Sequence, residues 1–347
     1  MRTLIENYRN LTAEHCGSGS MRNLLYHYCG LELEESVVFG LGSGLDCILH
    51  NGGLANAPSM LMGRGVSMEQ DLAGSLGIDY REIIPADDQR AWEEVRDEVL
   101  AGHPTMLCGD IFYLDYRDYK VNFPGHRFVL LGFDDDKQEV YIADRTNAET
   151  ETCSMEALRL SRAAPVAPNM SNLWGKFYDD TVKNSLPDAC EIALRRTTQR
   201  MLGEDASQIN LITADTDIKE APFSSGVAGI TQFTEYLMSW PDRTDTAACA
   251  RLIDQCIAKF GSGGALFRNL FCGFMHWAHQ QRPDLVSNAH LALAEKSAQQ
   301  WTGIASVMQD LTQDTTNQDA LSQAHQQSLA VYETERKLFE SLAATFA

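Results

Sequence analysis

The apolar pattern changes character halfway along this 347-residue chain, and that change limits the fold more than any single motif. In the first half, short apolar runs alternate with amphipathic stretches. Residues 105–108, 128–133 and 140–143 read as β-strands, and the last two are joined by the polar turn Asp134-Asp135-Asp136-Lys137-Gln138. Residues 21–30, 68–76 and 88–101 carry helical spacing, the last with Trp92, Val95 and Val99 on one stripe. A short strand is expected over 36–39 and an extended segment over 83–85. Beyond residue 187 nearly every apolar residue recurs at three- and four-residue steps. Helices are expected over 188–202, 229–240, 246–259, 264–281, 287–311 and 320–344. The expected fold class is therefore α+β, with an antiparallel-sheet domain over 1–164, a proline-containing linker over 165–187 and a helical domain over 188–347.

Composition narrows the function classes. The formal net charge of −20 argues against nucleic acid as a partner, because phosphate binding needs a basic face. The same acidity suits either a cationic substrate or plain solubility. No apolar run approaches the roughly 18–20 residues of a bilayer span, and residues 1–16 hold no apolar core like that of a secretory signal. A cytoplasmic protein with no membrane partner is expected. The nine cysteines are odd in number and contain no CxxC pair, which fits neither a disulfide framework nor a zinc cage. No metal ligand set is expected.

Two constellations carry chemistry. The first is His15-Cys16-Gly17-Ser18-Gly19 ahead of a helix. Unpaired backbone N–H groups and the helix dipole at such a position favour a thiolate and suit a developing oxyanion. The second is the hairpin HRFVLLGFDDDKQEVYIAD. In an antiparallel pair the start of one strand lies beside the end of the next, so His126 and Asp144 are expected as neighbours, as a general base and its orienting carboxylate must be. Cys16, His126 and Asp144 are the candidate catalytic residues. His15 competes as a base by adjacency alone. Asn10, six residues before Cys16, is either an oxyanion donor or a turn-forming residue. Gly40-Leu41-Gly42-Ser43-Gly44 lacks the third glycine of a dinucleotide loop and reads as a tight loop, with Gly42 and Ser43 as substrate-binding candidates. Asp110 and Tyr113 are either contacts for a cationic amine or parts of a polar loop. The Asp134–Asp136 run lacks calcium-loop spacing. The basic cluster Arg195, Arg196 and Arg200 is either a docking face or an ordinary solvated face.

The blocks HCGSGSMRNLLYHYCG, ESVVFGLGSGL, GHPTMLCGDIFYLDY and HRFVLLGFDDDKQEVYIAD, in that order, resemble the papain-like C39 peptidase arrangement and, more closely, the butirosin biosynthesis protein H family. FSSGVAGITQFTEYLMSW and GSGGALFRNLFCGFMHWA resemble that family's helical domain, so the likeness spans residues 10–310. The resemblance implies a papain-like catalytic domain followed by a helical one. It implies acyl transfer from a carrier-protein thioester through an acyl-cysteine to an amine, with Cys16 as nucleophile, His126 as base and Asp144 as orienter. The implied partners are an acyl carrier protein, whose phosphopantetheine thioester is the donor, and an aminoglycoside- or polyamine-like amine. No resident cofactor is implied. Papain-like enzymes carry a glutamine before the nucleophile, and none stands there in this chain. A cysteine peptidase or amidase with the same residues, and a non-catalytic carrier-binding module, are the competing readings.

Overall fold

The computed structural model describes residues 1–54, 57–165, 170–204 and 224–346. The fold is α+β, and the described residues form two compact units. The first is built from Met1–Val38 and Leu76–Lys183, the second from Phe39–Ser75 and the described residues from Asn184 onward.

The first unit is organised on a seven-stranded, wholly antiparallel sheet. Its strands are β1 (Arg2–Leu4), β4 (Tyr80–Ile83), β5 (Thr105–Asp110), β6 (Pro124–Asp134), β7 (Glu139–Ala143), β8 (Glu151–Ser154) and β9 (Trp174–Phe177). Their order is β4-β9-β5-β6-β7-β8, with β1 also paired to β6. The β6–β7 turn closes on the Asp134 carboxylate, whose Oδ1 accepts from the N–H groups of Asp136 and Lys137. Helices α4 (Asp88–Leu100) and α5 (Met155–Ala163) complete the core, in which Val95, Val99, Leu107, Phe128, Leu130, Val140, Ile142 and Leu158 are buried together. Residues 165–187, expected as a linker, include β9, which joins the sheet between β4 and β5. Trp174 and Phe177 are buried there. Four residues leave too short an apolar run to stand out in the sequence. Residues 166–169 of that stretch lie outside the described residues.

Helix α1 (Cys16–Cys29) begins five residues before the expected start. The run Cys16-Gly17-Ser18-Gly19-Ser20 has no amphipathic period, but His15 caps it by accepting the Ser18 N–H on Nδ1, and Gly30 ends it in a left-handed turn at φ 63°. Gly19 is needed because a Cβ there would lie 2.4 Å from the Ala13 Cβ. Residues 36–39, expected as a strand, belong to α2 (Glu35–Leu41). The β-branched Val37 and Val38 favour a strand locally, but both are buried and tertiary packing overrides that weak preference.

The second unit holds α3 (Met68–Leu76), the hairpin β2 (Leu45–Leu54) with β3 (Ala57–Arg64), and helices α6 (Leu186–Met201), α7 (Gly226–Met238), α8 (Thr246–Ala258), α9 (Arg268–Gln281), α10 (Asn288–Gln313) and α11 (Gln318–Ala343). The hairpin escapes the sequence reading because its glycines break the alternation. Its Cys47, Leu49 and Leu61 join a core with Ile230, Phe233, Ile253, Trp301, Ile304 and Met308. The expected helix at 264 starts at Arg268 instead. Ala265, Leu266 and Phe267 are left-handed at φ 51°, 49° and 70°, a conformation that costs about 1–2 kcal/mol per residue. The buried Leu266 packs against Gly63, where a Cβ would approach its Cγ to 2.6 Å.

One charged network sits inside this core. Arg268 makes two 2.8 Å bonds to Glu335, and Ser297 Oγ and Trp301 Nε1 donate to Glu335 Oε1 at 2.6 and 2.9 Å. Arg268 also donates to the carbonyls of Asp46 and Leu266. Removing one partner strands the other charge in a dry interior. Glu335→Ala is expected to cost about 3–5 kcal/mol in chemical denaturation, and a paired Arg268→Met, Glu335→Leu replacement to recover most of it.

Candidate active site

Cys16 is the first residue of α1, His126 lies near the start of β6, and Asp144 follows the end of β7. All three are buried. His126 Nε2 is 3.0 Å from Asp144 Oδ1. The register explains the meeting: Val129 lies opposite Ala143, so the residues just before one and just after the other converge. The His126 imidazole and the Cys16 thiol also act on one another electrostatically, each favouring the other's charged form. The ring stacks on Phe128 at 5.9 Å, which fixes its plane.

Asp144 is held from several sides. Tyr116 donates its hydroxyl to Oδ2 at 2.8 Å, and the Arg145 N–H donates to Oδ1 at 2.6 Å. Sequence reasoning missed Tyr116; its one signal is the density of aromatics in IFYLDYRDYK. A second set of bonds ties this strand end to the segment before α1. Ala13 N–H donates to the Arg145 carbonyl at 2.8 Å, and Arg145 Nη1 donates to the Glu14 carbonyl at 2.8 Å. Thus the nucleophile candidate and its partners, far apart in sequence, share one hydrogen-bonded frame.

Electrostatics follow from this geometry. Burial alone would push the Cys16 thiol up, but His15 and His126 outweigh it and hold the thiol well below its ordinary value. Burial would lower His126, and the Asp144 carboxylate reverses that, raising it to about 10. Asp144 is driven the other way: burial opposes its charge, and His126, Tyr116 and the Arg145 N–H hold it far below the usual carboxylate range. Cys29, Cys190, Cys256 and Cys272 are pushed up to about 11, 12, 12 and 12 by burial, and Cys47 and Cys153 rise further for the same reason. Burial thus raises these six thiols, whereas the two histidines lower Cys16, the direction that favours a thiolate beside an imidazolium.

The other expected residues have local duties. Both hydrogens of the Asn10 amide are donated to carbonyls, to Asp144 at 3.1 Å and Asn147 at 2.6 Å, while its oxygen accepts from Asn23. Asn10 is therefore a clamp on the 144–147 turn and has no N–H to offer an oxyanion. Gly42 and Ser43 lie in the second unit, in the turn after α2. Ser43 is buried at φ 47°, donates to the Ala193 carbonyl at 3.2 Å and receives Arg200 on its own carbonyl. Asp110 organises its own loop, with Oδ1 accepting from Phe112 and Phe123 N–H and Oδ2 from Asn122. Tyr113 is half-buried beside Phe112. In the basic cluster, Arg195 pairs with Glu191, and Arg196 and Arg200 pair with Asp71.

Comparison with known families matches residues 15–145 to the model described as butirosin biosynthesis protein H, N-terminal, a span that contains Cys16, His126 and Asp144. Residues 154–342 match a domain of unknown function (DUF4872). The amino-terminal part of the chain is thus a butirosin biosynthesis protein H N-terminal domain, and the larger part belongs to the DUF4872 family. No curated protein matches the chain. All nine cysteines of this family member are free, no group of three or more metal-type ligands occurs among the described residues, and no described helix is long and apolar enough to cross a membrane.

Two measurements check the ion pair. Cys16 should react with iodoacetamide at acid pH, where an ordinary thiol of pKa about 8.5 is silent, and His126→Ala should move that reactivity back toward the ordinary range. For His126 the sign is the opposite: its imidazolium is raised, so it persists until pH climbs through about 10. Asp144→Asn removes the main raising charge, and ring-carbon NMR should then find His126 titrating at lower pH.

Proposed function

We propose that this protein is an acyltransferase that moves an acyl group from a carrier-protein thioester, through an acyl-Cys16 intermediate, to an amine. The observation that carries the reading is the Cys16–His126–Asp144 array at the start of α1. A nucleophile at a helix N-terminus, beside a histidine oriented by a carboxylate, is what acyl transfer requires. The family's biosynthetic context favours group transfer over degradation. The domain that bears the array is on this reading papain-like.

The steps are as follows. The Cys16 thiolate attacks the thioester carbonyl, and the oxygen of the tetrahedral intermediate takes the negative charge. The first-turn N–H groups of Cys16 and Gly17 have no intrahelical acceptor, whereas that of Ser18 is taken by His15. The first two are the donors for that oxyanion, in place of Asn10. The intermediate collapses, the bond from carbonyl carbon to carrier sulfur breaks, and the carrier thiolate takes the proton from His126. The amine then attacks the acyl-cysteine, neutral His126 accepts the amine proton, and the Cys16 thiolate leaves. Thioester and amine become amide and free carrier thiol. Water must be excluded from the acyl-enzyme, or hydrolysis replaces transfer.

The donor on this reading is the phosphopantetheine thioester of an acyl carrier protein, and the acceptor a small amine of aminoglycoside or polyamine type. The net charge of −20 favours a cationic acceptor and disfavours nucleic acid. Nine free thiols fit a reducing, cytoplasmic setting.

The test is intact-mass spectrometry after mixing the protein with acyl-carrier thioesters and no acceptor. The expected result is a mass gain equal to the acyl group, lost in Cys16→Ala. Absence of an adduct with every donor, with Cys16 still open to alkylation, would favour the peptidase or amidase reading. In the coupled assay Cys16→Ala should abolish turnover, and Asp144→Asn should lower it by a smaller factor, on the order of 10⁴.

A further inference from the structure

The start of α1 holds backbone donors that the helix itself cannot use, and a side chain from α2 takes several of them. Glu35 is the first residue of α2 and is buried. A buried carboxylate is costly unless hydrogen bonds satisfy it. Three donors do so, and all three flank Cys16. Oε2 accepts the Glu14 N–H at 2.9 Å, and Oε1 accepts the His15 N–H at 2.8 Å and the Ser18 hydroxyl at 2.9 Å. In a capping box the residue at the third helical position bonds back to the N–H of the cap residue. Here Ser18 occupies that position, and Glu35 bonds the N–H of the cap residue His15 from another helix.

Most donors from residue 14 to residue 19 are committed. The N–H groups of Glu14 and His15 go to Glu35, that of Ser18 to the His15 ring and that of Gly19 to the His15 carbonyl. The N–H groups of Cys16 and Gly17 lie between these fixed points and have no acceptor within the helix. We propose that Glu35 is a positioning residue for acyl transfer: its carboxylate anchors the backbone at Glu14 and His15 and so fixes the Cys16 and Gly17 N–H groups as oxyanion donors. The proposal rests on Cys16 being the nucleophile that the transferase reading requires. A carboxylate beside the nucleophile opposes a thiolate, so activation of Cys16 does not explain its place there. Geometry does. An oxyanion donor must be preorganised, and a displacement of about 1 Å can cost on the order of 10²-fold in rate.

Acylation and alkylation of Cys16 separate positioning from activation, because acylation passes through an oxyanion and displacement on iodoacetamide does not. The acylating probe is p-nitrophenyl acetate: the Cys16 sulfur bonds the acetyl carbon and p-nitrophenolate leaves. The adduct is read by intact mass with Cys16→Ala as background, and no carrier protein is needed. Glu35→Gln keeps the size of the side chain but offers one oxygen to three donors. It should lower the acylation rate by about 10²-fold, with alkylation no slower than in wild type, since the opposing charge is gone. Should Glu35→Gln not fold, Ser18→Ala removes one of the three bonds and leaves the backbone cap in place. It should slow acylation by about tenfold, the scale of one hydrogen bond to a charged group, with alkylation unchanged. The proposal is wrong if the folded variant is acylated like wild type, or if its acylation and alkylation fall by the same factor. It also falls if wild-type Cys16 is alkylated yet never acylated by the probe, since no oxyanion site then exists. Wild type that takes acetyl from the probe but no acyl group from any carrier thioester would instead count against the transferase reading and leave the role of Glu35 standing.

Discussion

Strand β6 is the constraint on which the first unit depends. It pairs with β1, β5 and β7, all antiparallel, and the side chains from Phe128 to Phe133 are buried. Every backbone group of a buried strand must find a partner, so the register of β6 is not negotiable. His126 sits near the start of that strand, and the same register brings the end of β7 beside it. The position of the imidazole relative to Asp144 is thus inherited from the sheet and does not depend on loop conformation.

Cys16 comes from a different part of the chain and needs its own attachment. It has one in the bonds between 10–14 and 144–147. Asn10, Ala13 and Arg145 supply them, and Arg22 and Asn23 of α1 hold the 10–12 segment from the other side. Each such bond contributes on the order of 1 kcal/mol. Together they place a helix N-terminus against a strand end, which brings together Cys16 and His126, candidate catalytic residues more than a hundred positions apart. Arg145 and Asn10 are therefore positioning residues, and their importance is geometric.

The site also shows how burial and charge divide the work among cysteines. Burial drives Cys29, Cys47, Cys153, Cys190, Cys256 and Cys272 toward the neutral thiol, where they behave as small apolar side chains. Cys16 is buried too and moves the other way because His15 and His126 act on it electrostatically. Composition counts nine equivalent thiols, and neighbours set Cys16 apart from these six.

Much of this was legible in the sequence. The 3.6-residue periodicity beyond residue 187 located helices within a few residues, since a long amphipathic stripe has few alternatives. The meeting of His126 and Asp144 could be read because a hairpin is local and its register follows from a short turn. Other features were decided by the tertiary structure alone. Val37 and Val38 went into a helix, and Trp174–Phe177 became an interior strand, because burial among distant residues outweighs local preference. Asn10 turned from an oxyanion candidate into a clamp because its amide lies opposite carbonyls of residues 144 and 147. The segment before Cys16 is held by Glu35, which accepts from the Glu14 and His15 N–H groups and from the Ser18 hydroxyl, a residue nothing in the local pattern marks out. The sequence by itself determined the element types and the local pairing, which short-range sterics and periodicity control. Only the tertiary structure decided which polar atoms are spent on holding the fold and which are left for chemistry, because that depends on partners the chain brings back from far away.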